Sequence, residues 1–341
     1  MLKIWGQVSM MVAATLAAVT SSAAVDEAPA EFYRDRIVRL IVGFPPGGPN
    51  DTIARHVARL LPAHAPGPPR VVVQNMPGAG SMKAAEYLAL QAPRDGAVFG
   101  AISTTVIIQS IMGSGDDPVA KLNWLGSAEA VTRVCYTWKA SGVTSVDLMR
   151  TRGVVVGATG VGSPTSDHAR LLKRALGDKV RIVQGYSGAG ELFLAMERGE
   201  IEAVCGNSIN TIRIERPDWY SEGRLDFVLR FSDEARGEAA TLPSYVDLLP
   251  PEDRAAAVFI FKQDAFTRAF VLPPDIPADR LSALRTAFES TLHSAELRDV
   301  MIRAGGEHSP LSGADMARMI DDMRAADPNL KERARQLLME P

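Results

Sequence analysis

Apolar residues along this chain fall into two alternating patterns. Short continuous runs rich in Val and Ile predict strands at 38–44, 71–75, 98–102, 134–139, 154–158, 181–184, 201–205, 227–231, 257–261 and 268–272. Continuous rather than alternating runs are what strands covered on both faces show. Between several of them the spacing becomes helical. Ile53, Val57, Leu60 and Leu61 share one face after the first run, with Arg55, His56 and Arg59 on the other. Ala84, Ala85, Leu88 and Ala89 follow the second run. Leu171, Leu172, Ala175 and Leu176 follow the fifth, and Leu192, Phe193 and Met196 the sixth. From about Ala278 the chain reads as three helices, the first carrying Leu281, Leu284, Ala287, Phe288 and Leu292. Pro273-Pro274 and Pro277 mark the turn before them. Strand–helix–strand repetition predicts an α/β fold with mostly parallel sheets.

The first residues read differently. Met1 to Lys3 is a short basic start, Ile4 to Val19 is mostly apolar, and Ser22-Ala23-Ala24 places small residues at −3 and −1. That is the pattern of a signal peptide, residues 1–24, cleaved after Ala24. The apolar stretch is shorter than the roughly 20 residues that cross a bilayer, and no cysteine stands at the cleavage point for a lipid anchor. The expectation is a mature protein in the periplasm. At 341 residues, 46% hydrophobic and 23% charged, the composition is globular and suits two lobes. A net charge of −3 without a basic run excludes nucleic acid as the expected partner. Cys135 and Cys205 have no nearby histidines and do not read as a metal site. An oxidising compartment permits their pairing, and the sequence leaves it open.

Three turns carry most of the chemistry: residues 44–51, 75–81 and 157–166. Each follows a strand run, is rich in glycine and opens a helix. In open α/β sheets ligands bind at such carboxyl ends of strands. The first N–H groups of a helix lack partners within it, glycine lets a ligand approach them, and the helix dipole favours an anion. Ser163 is placed as an N-cap, with Pro164 at the first helical position. None of the three turns carries Lys or Arg, which favours a carboxylate or a polar neutral group over a phosphate.

The stretch Arg39-Leu40-Ile41-Val42-Gly43-Phe44-Pro45-Pro46-Gly47-Gly48-Pro49-Asn50-Asp51 resembles the opening of the Bug, or TctC-like, proteins. These are the periplasmic solute-binding components of tripartite tricarboxylate transporters. Val72-Val73-Gln74-Asn75-Met76-Pro77-Gly78-Ala79-Gly80-Ser81 is similar to their second block. Gly162-Ser163-Pro164-Thr165, Gly185-Tyr186-Ser187-Gly188-Ala189 and residues 197–203 are supportive. The resemblance runs from about Tyr33 to the C-terminus. It implies a two-lobed Venus flytrap with two crossing strands and ligand in the cleft. Lobe 1 would comprise 25–131 and 267–341, and lobe 2 would comprise 132–266. The ligand-binding residues expected are Gly47, Gly48, Asn50, Asp51, Gly78, Ala79, Gly80, Ser81, Ser103 and Thr104 from lobe 1. Lobe 2 would add Gly162, Ser163, Thr165, Gly188 and Asn207. Departures lie at Ala101 and at Leu242-Pro243-Ser244-Tyr245 and Phe266-Thr267-Arg268-Ala269-Phe270, which bear on ligand identity more than on fold.

Catalysis is not expected. Gly185-Tyr186-Ser187-Gly188-Ala189 lacks the final glycine of a nucleophile elbow, and Gly78 to Lys83 lacks the spacing of a phosphate loop. Asp116-Asp117 and Asp321-Asp322 read as solvated carboxylates, and Trp124, Trp138 and Trp219 as packing residues. The function expected is a monomeric receptor without metal or cofactor, holding a small organic acid or related polar solute. It would deliver that solute to membrane permease subunits. A receptor feeding a sensor kinase and an exported hydrolase are the alternatives. Intact-mass measurement of protein from the periplasmic fraction should find a chain beginning near Val25; a mass retaining Met1 there would refute cleavage.

Overall fold

The computed structural model describes residues 27–113, 117–234, 237–303 and 308–339. The signal segment, Val25 and Asp116 lie outside the described residues.

The chain builds a first sheet from α1 (Pro29–Tyr33), β1 (Ile37–Val42), α2 (Pro49–Leu60), β2 (Arg70–Asn75), α3 (Met82–Leu90), β3 (Val98–Ile102), α4 (Thr104–Met112) and β4 (Asn123–Glu129). It then crosses to β5 (Arg133–Trp138), α5 (Val146–Arg152), β6 (Val154–Ala158), α6 (Pro164–Leu176), β7 (Val180–Gln184), α7 (Ala189–Glu197) and β8 (Ala203–Ser208). The second sheet is completed by α8 (Ile209–Glu215), α9 (Pro217–Ser221), β9 (Leu225–Phe231) and α10 (Pro251–Phe261). The return leads into β10 (Thr267–Leu272), α11 (Ala278–Leu292), α12 (Ala295–Arg303), β11 (Leu311–Ser312), α13 (Gly313–Arg324) and α14 (Pro328–Met339).

The sheet orders are β11-β4-β10-β3-β1-β2 and β7-β6-β8-β5-β9. Both are mixed. The expected parallel arrangement holds within β2-β1-β3 and β7-β6-β8, whereas β10, β4, β11, β5 and β9 pair antiparallel. The antiparallel strands gather on the side of each sheet where the chain crosses, directly from β4 to β5 and by way of α10 from β9 to β10. One crossing is Ala130–Thr132; the other is the 3-10 turn Lys262–Phe266. They are bonded to each other through Val131 N–H and the Asp264 carbonyl, 2.9 Å.

Several elements depart from the sequence expectation, among them α14, a fourth helix after Ala278 where three were expected. The run 257–261 is the end of α10, not a strand. Pro251 opens that helix, Glu252 and Asp253 follow in its first turn, and three successive alanines favour helix. A short apolar run of this kind looks the same in a buried helix as in a buried strand. Conversely β4 has no apolar run to announce it. Gly126 within it has φ +136°, and a Cβ there would lie 2.6 Å from the Leu311 carbonyl oxygen. The strand keeps a glycine so that β11 can approach.

The helical stripes face inward: Ile53, Val57, Leu88, Leu171, Leu192, Phe193 and Phe288 are all buried. Trp219 is fully buried and packs against Trp138, ring centroids 4.6 Å apart. Cys135 and Cys205 sit opposite each other on β5 and β8 and form a disulfide in the core. It closes a loop of 70 residues, and cross-links of this kind stabilise by about 2–4 kcal/mol. The double variant Cys135→Ala/Cys205→Ala should lose stability of that order in a urea titration; an unchanged midpoint would show the bond to be idle.

Candidate functional site

The first turn is braced from within. Gly47, at φ +86°, directs its N–H to Asp51 Oδ2 at 2.8 Å. The same oxygen accepts from Arg55 Nε at 2.8 Å, and Oδ1 accepts from Asn75 Nδ2 at 2.7 Å. Burial raises the Asp51 pKa, but the bonds from Arg55, Gly47 and Asn75 outweigh it and hold the group below the ordinary carboxylate range. Asp51 therefore ties the first turn to the second with both of its oxygens engaged. Gly48 caps α2 in extended backbone, and no atom lies within 4 Å of where its Cβ would stand. The start of α2 is thus uncovered.

The second turn runs through four successive positive φ values: Gly78 +141°, Ala79 +45°, Gly80 +61° and Ser81 +86°. Such angles are uncommon for Ala and Ser and mark a backbone over-determined by its surroundings. Ser81 Oγ is buried without a protein hydrogen-bond partner, and a Cβ on Gly43 would stand 1.8 Å from it.

Ser103 caps α4, accepting from Thr105 N–H at 3.3 Å. Thr105 then donates to the Gly162 carbonyl across the gap between the sheets, 2.9 Å. Ser163 caps α6, as its place in the sequence implies, accepting from Ser166 N–H at 3.3 Å. Thr159 Oγ1 donates to Ser163 Oγ at 2.6 Å, and Thr165 Oγ1 accepts from Thr159 N–H at 3.0 Å. Three hydroxyl groups are thereby gathered at the mouth of α6. Gly188 begins α7 without a side-chain cap of its own, and Glu191 Oε2 reaches back to accept from Ser187 N–H at 2.8 Å. Asn207 lies in β8 near its end and donates through Nδ2 to Tyr136 Oη at 3.1 Å.

Turns of the two sheets meet backbone to backbone: a Cβ on Gly80 would stand 2.1 Å from the Gly162 carbonyl oxygen. Gly78–Ser81, Ser103, Thr104 and Gly162–Thr165 therefore converge. Asn50 belongs to a different, largely buried network. Arg268, at φ +60° in β10, donates from Nη1 to Asn50 Oδ1 at 3.1 Å and from Nε to Glu129 Oε2 at 2.7 Å. Glu129 Oε1 accepts from Asn210 Nδ2 at 3.0 Å. Arg133 mirrors this, donating to Asp264 Oδ1 at 2.6 Å, to the Gly206 carbonyl at 2.8 Å and to Thr104 Oγ1 at 3.4 Å. Gly188 and Asn207 make no hydrogen bond to the other turns among the described residues. Sequence reasoning missed Thr105, Thr159, Arg133 and Glu129. An arginine at the head of each of two apolar strand runs, Arg133 before 134–139 and Arg268 opening 268–272, was the available signal for the buried pairs.

Behind the start of α6 lie two buried ionisable groups. Burial pushes Asp167 up to about 7 against the pull of Arg170 and Arg133. Burial likewise pushes His168 down to about 3, helped by Arg133 and opposed by its bond to the Pro164 carbonyl. That bond, 2.7 Å from Nδ1, makes Nδ1 the protonated nitrogen, while Nε2 is buried without a partner beside Phe231.

No family model matches the chain. It is 26% identical over 282 residues, 76% of its length and 73% of the relative's, to a UPF0065 protein in the TAR-I ttuE-ttuC' intergenic region of Agrobacterium vitis. Among solved structures it is similar to the periplasmic binding protein BugD, with a TM-score of 0.68, 16% identity and coverage of 89% of this chain and 98% of that one. It is also similar to MatC from Rhodopseudomonas palustris with bound malate, at TM-score 0.66, 18% identity and coverage of 88% and 99%. A second R. palustris protein, solved with adipate, gives TM-score 0.65, 20% identity and coverage of 88% and 97%. The fold is the two-lobed one of periplasmic solute-binding proteins.

The His168 environment sets a pH dependence. The folded pKa lies below the unfolded value of 6.5, so the unfolded chain takes up a proton first as pH falls, and stability is lost from about pH 6.5 downward. Urea titrations of wild type and His168→Phe should show their stability difference moving in the variant's favour by about 1.4 kcal/mol per pH unit between pH 6 and 4. Parallel pH profiles would mean that His168 titrates normally.

Proposed function

We propose that this chain is the exported solute-binding receptor of a tripartite tricarboxylate-type transporter, of the Bug/TctC family. It takes a small carboxylate-bearing molecule, or a related polar solute, between its glycine-rich turns. The lobes of this reading are 25–131 with 267–341, and 132–266. The observation that carries it is the convergence of the Gly78–Ser81, Ser103 and Gly162–Thr165 turns across the two sheets. Helix starts and hydroxyls supply donors there, and no Lys or Arg stands in the turns. A carboxylate is held by N–H and O–H groups, and closing one lobe on the other removes it from water. The malate and adipate of the similar R. palustris proteins are of this class. The protein would act as a periplasmic monomer, cleaved near Ala24, and hand its solute unchanged to the permease subunits.

A melting-temperature screen of mono-, di- and tricarboxylates identifies the solute class, since a ligand stabilises the native state by RT ln(1 + [L]/Kd). Ser163→Ala should cost ~1 kcal/mol of stability as a lost cap and also weaken the ligand-induced rise. Gly48→Val should fold, because its backbone angles suit any residue and space surrounds it, yet it should abolish most of that rise. A full rise in Gly48→Val would make the first turn a mere connector.

A further inference from the structure

One carboxyl group stands where helices of the two sheets meet and has no bond of its own. α8 of the second sheet packs against α2 of the first, and Asn210 of α8 donates to Glu129 of β4 across the same junction. Glu215 is the last residue of α8. It is half-buried, and its Oε1 is fully buried without a hydrogen-bond partner. Buried polar groups are almost always bonded, and a buried charge is costly unless it is paired.

The charges around Glu215 do not balance. Arg268 of β10 attracts it across the junction but gives Nε to Glu129 and Nη1 to Asn50. Arg216 attracts it from the next position but is paired with Glu197 at 3.2 Å and lies over the Trp219 ring. Tyr136 of β5 also feels its charge, and the Tyr136 hydroxyl accepts from Asn207. Of the elements packed on α8, α2 brings Asp51, paired with Arg55, together with His56 and Arg59. α9 brings Asp218 and Tyr220, the latter bonded to Arg213 and Glu238, and β8 carries no charged residue. None of these groups bonds Glu215. Two carboxylates therefore face Arg268, and Glu129 holds it. Burial outweighs the pull of both arginines and pushes Glu215 up to about 7. A proton on the carboxyl removes the uncompensated charge.

We propose that Glu215 is a proton-operated latch between the lobes: protonated, it lets α8 seat on α2, and ionised, it loosens that contact. Docked, the carboxyl keeps a proton that the same group exposed to water gives up at its ordinary value of 4.5. Docking is thus strongest below about pH 4.5 and weakens by up to tenfold per pH unit until about pH 7. Above that both forms are ionised and the dependence levels off.

The test uses the mature full chain without added solute, so its outcome does not depend on the solute reading. Dyes on Leu90→Cys and Leu194→Cys, exposed positions of α3 and α7, report lobe separation by energy transfer. Cys135 and Cys205 are bonded to each other and take no dye. Between pH 5.5 and 8 the transfer should follow a one-proton curve that levels off near pH 7. In Glu215→Gln, which keeps the shape and removes the charge, it should stay at its acid value throughout. Glu215→Ala should lose the pH response as well and decides the matter if Glu215→Gln does not fold. Transfer that is constant from pH 5.5 to 8 with Glu215 in place, or that changes equally without its carboxyl, would overturn the proposal.

Discussion

Two guanidinium groups are buried where the sheets join, and the geometry of the cleft follows from keeping them bonded. Arg133 and Arg268 are each 7% exposed and stand on β5 and β10, the strands entered at the two crossings. A buried charge costs several kcal/mol unless it is paired and its hydrogens are taken up. Asp264 and Glu129 supply the pairing. The remaining hydrogens reach Asn50 of the first turn, Thr104 of α4 and the Gly206 carbonyl of β8. Asn210 of α8 completes the Glu129 shell. Satisfying two charges therefore fixes parts of both sheets against each other. Removing one partner of such a pair typically costs about 3–5 kcal/mol because the other charge is stranded.

Apolar packing reinforces the arrangement. One continuous core includes Ile107 and Ile108 of α4, Ala169 and Leu171 of α6, Ile260 of α10 and Leu337 of α14. α14 packs against α10, α4 and α6. It is pinned by Arg333 to Asp253 of α10 and by Arg174 of α6 to the Gln336 carbonyl. A swing of one lobe on the other has to carry this helix with one side or slide it along a packed face. Interiors at crystal-like density resist continuous deformation, so two discrete arrangements suit this junction better than a loose hinge.

The sequence made the strand-to-helix turns legible because glycine, proline and capping residues act locally. Ser163 caps α6 as its spacing indicates, and the apolar stripes of α2, α3 and α6 lie inward. What escaped was non-local or ambiguous. α4 begins Thr-Thr-Val-Ile-Ile, β-branched residues that announce no helix, and it exists because Ser103 caps it and both its sides are covered. The antiparallel strands follow from the crossings, which no local pattern records. Glu129 and Arg268 are 139 positions apart, so their pairing is invisible along the chain. Local pattern also cannot separate a brace from a ligand-facing group. Asp51 stands in a turn whose pattern suggests binding, yet it spends one oxygen on its own turn and the other on Asn75 of the second.

That division of labour bears on how the cleft treats charge. The two guanidinium groups nearest the convergence in the bonding network are committed to carboxylates, and Arg55 is committed to Asp51. On the proposed reading, an anion entering between the turns would meet backbone N–H groups and the Thr159, Ser163 and Thr165 hydroxyls. A hydroxyl both donates and accepts, and rotates between the two at little cost. These three are hydrogen-bonded to one another; in the proposed complex the same hydrogens would turn outward to the carboxylate. Charge attraction would pull in anions of many shapes, whereas fixed N–H vectors and a small hydroxyl set reward only an anion whose oxygens fit them. Selectivity in a cleft of that kind would rest on geometry and on the completeness of desolvation, and Arg133 and Arg268, whose pairs are bonded across the junction of the sheets, would fix both.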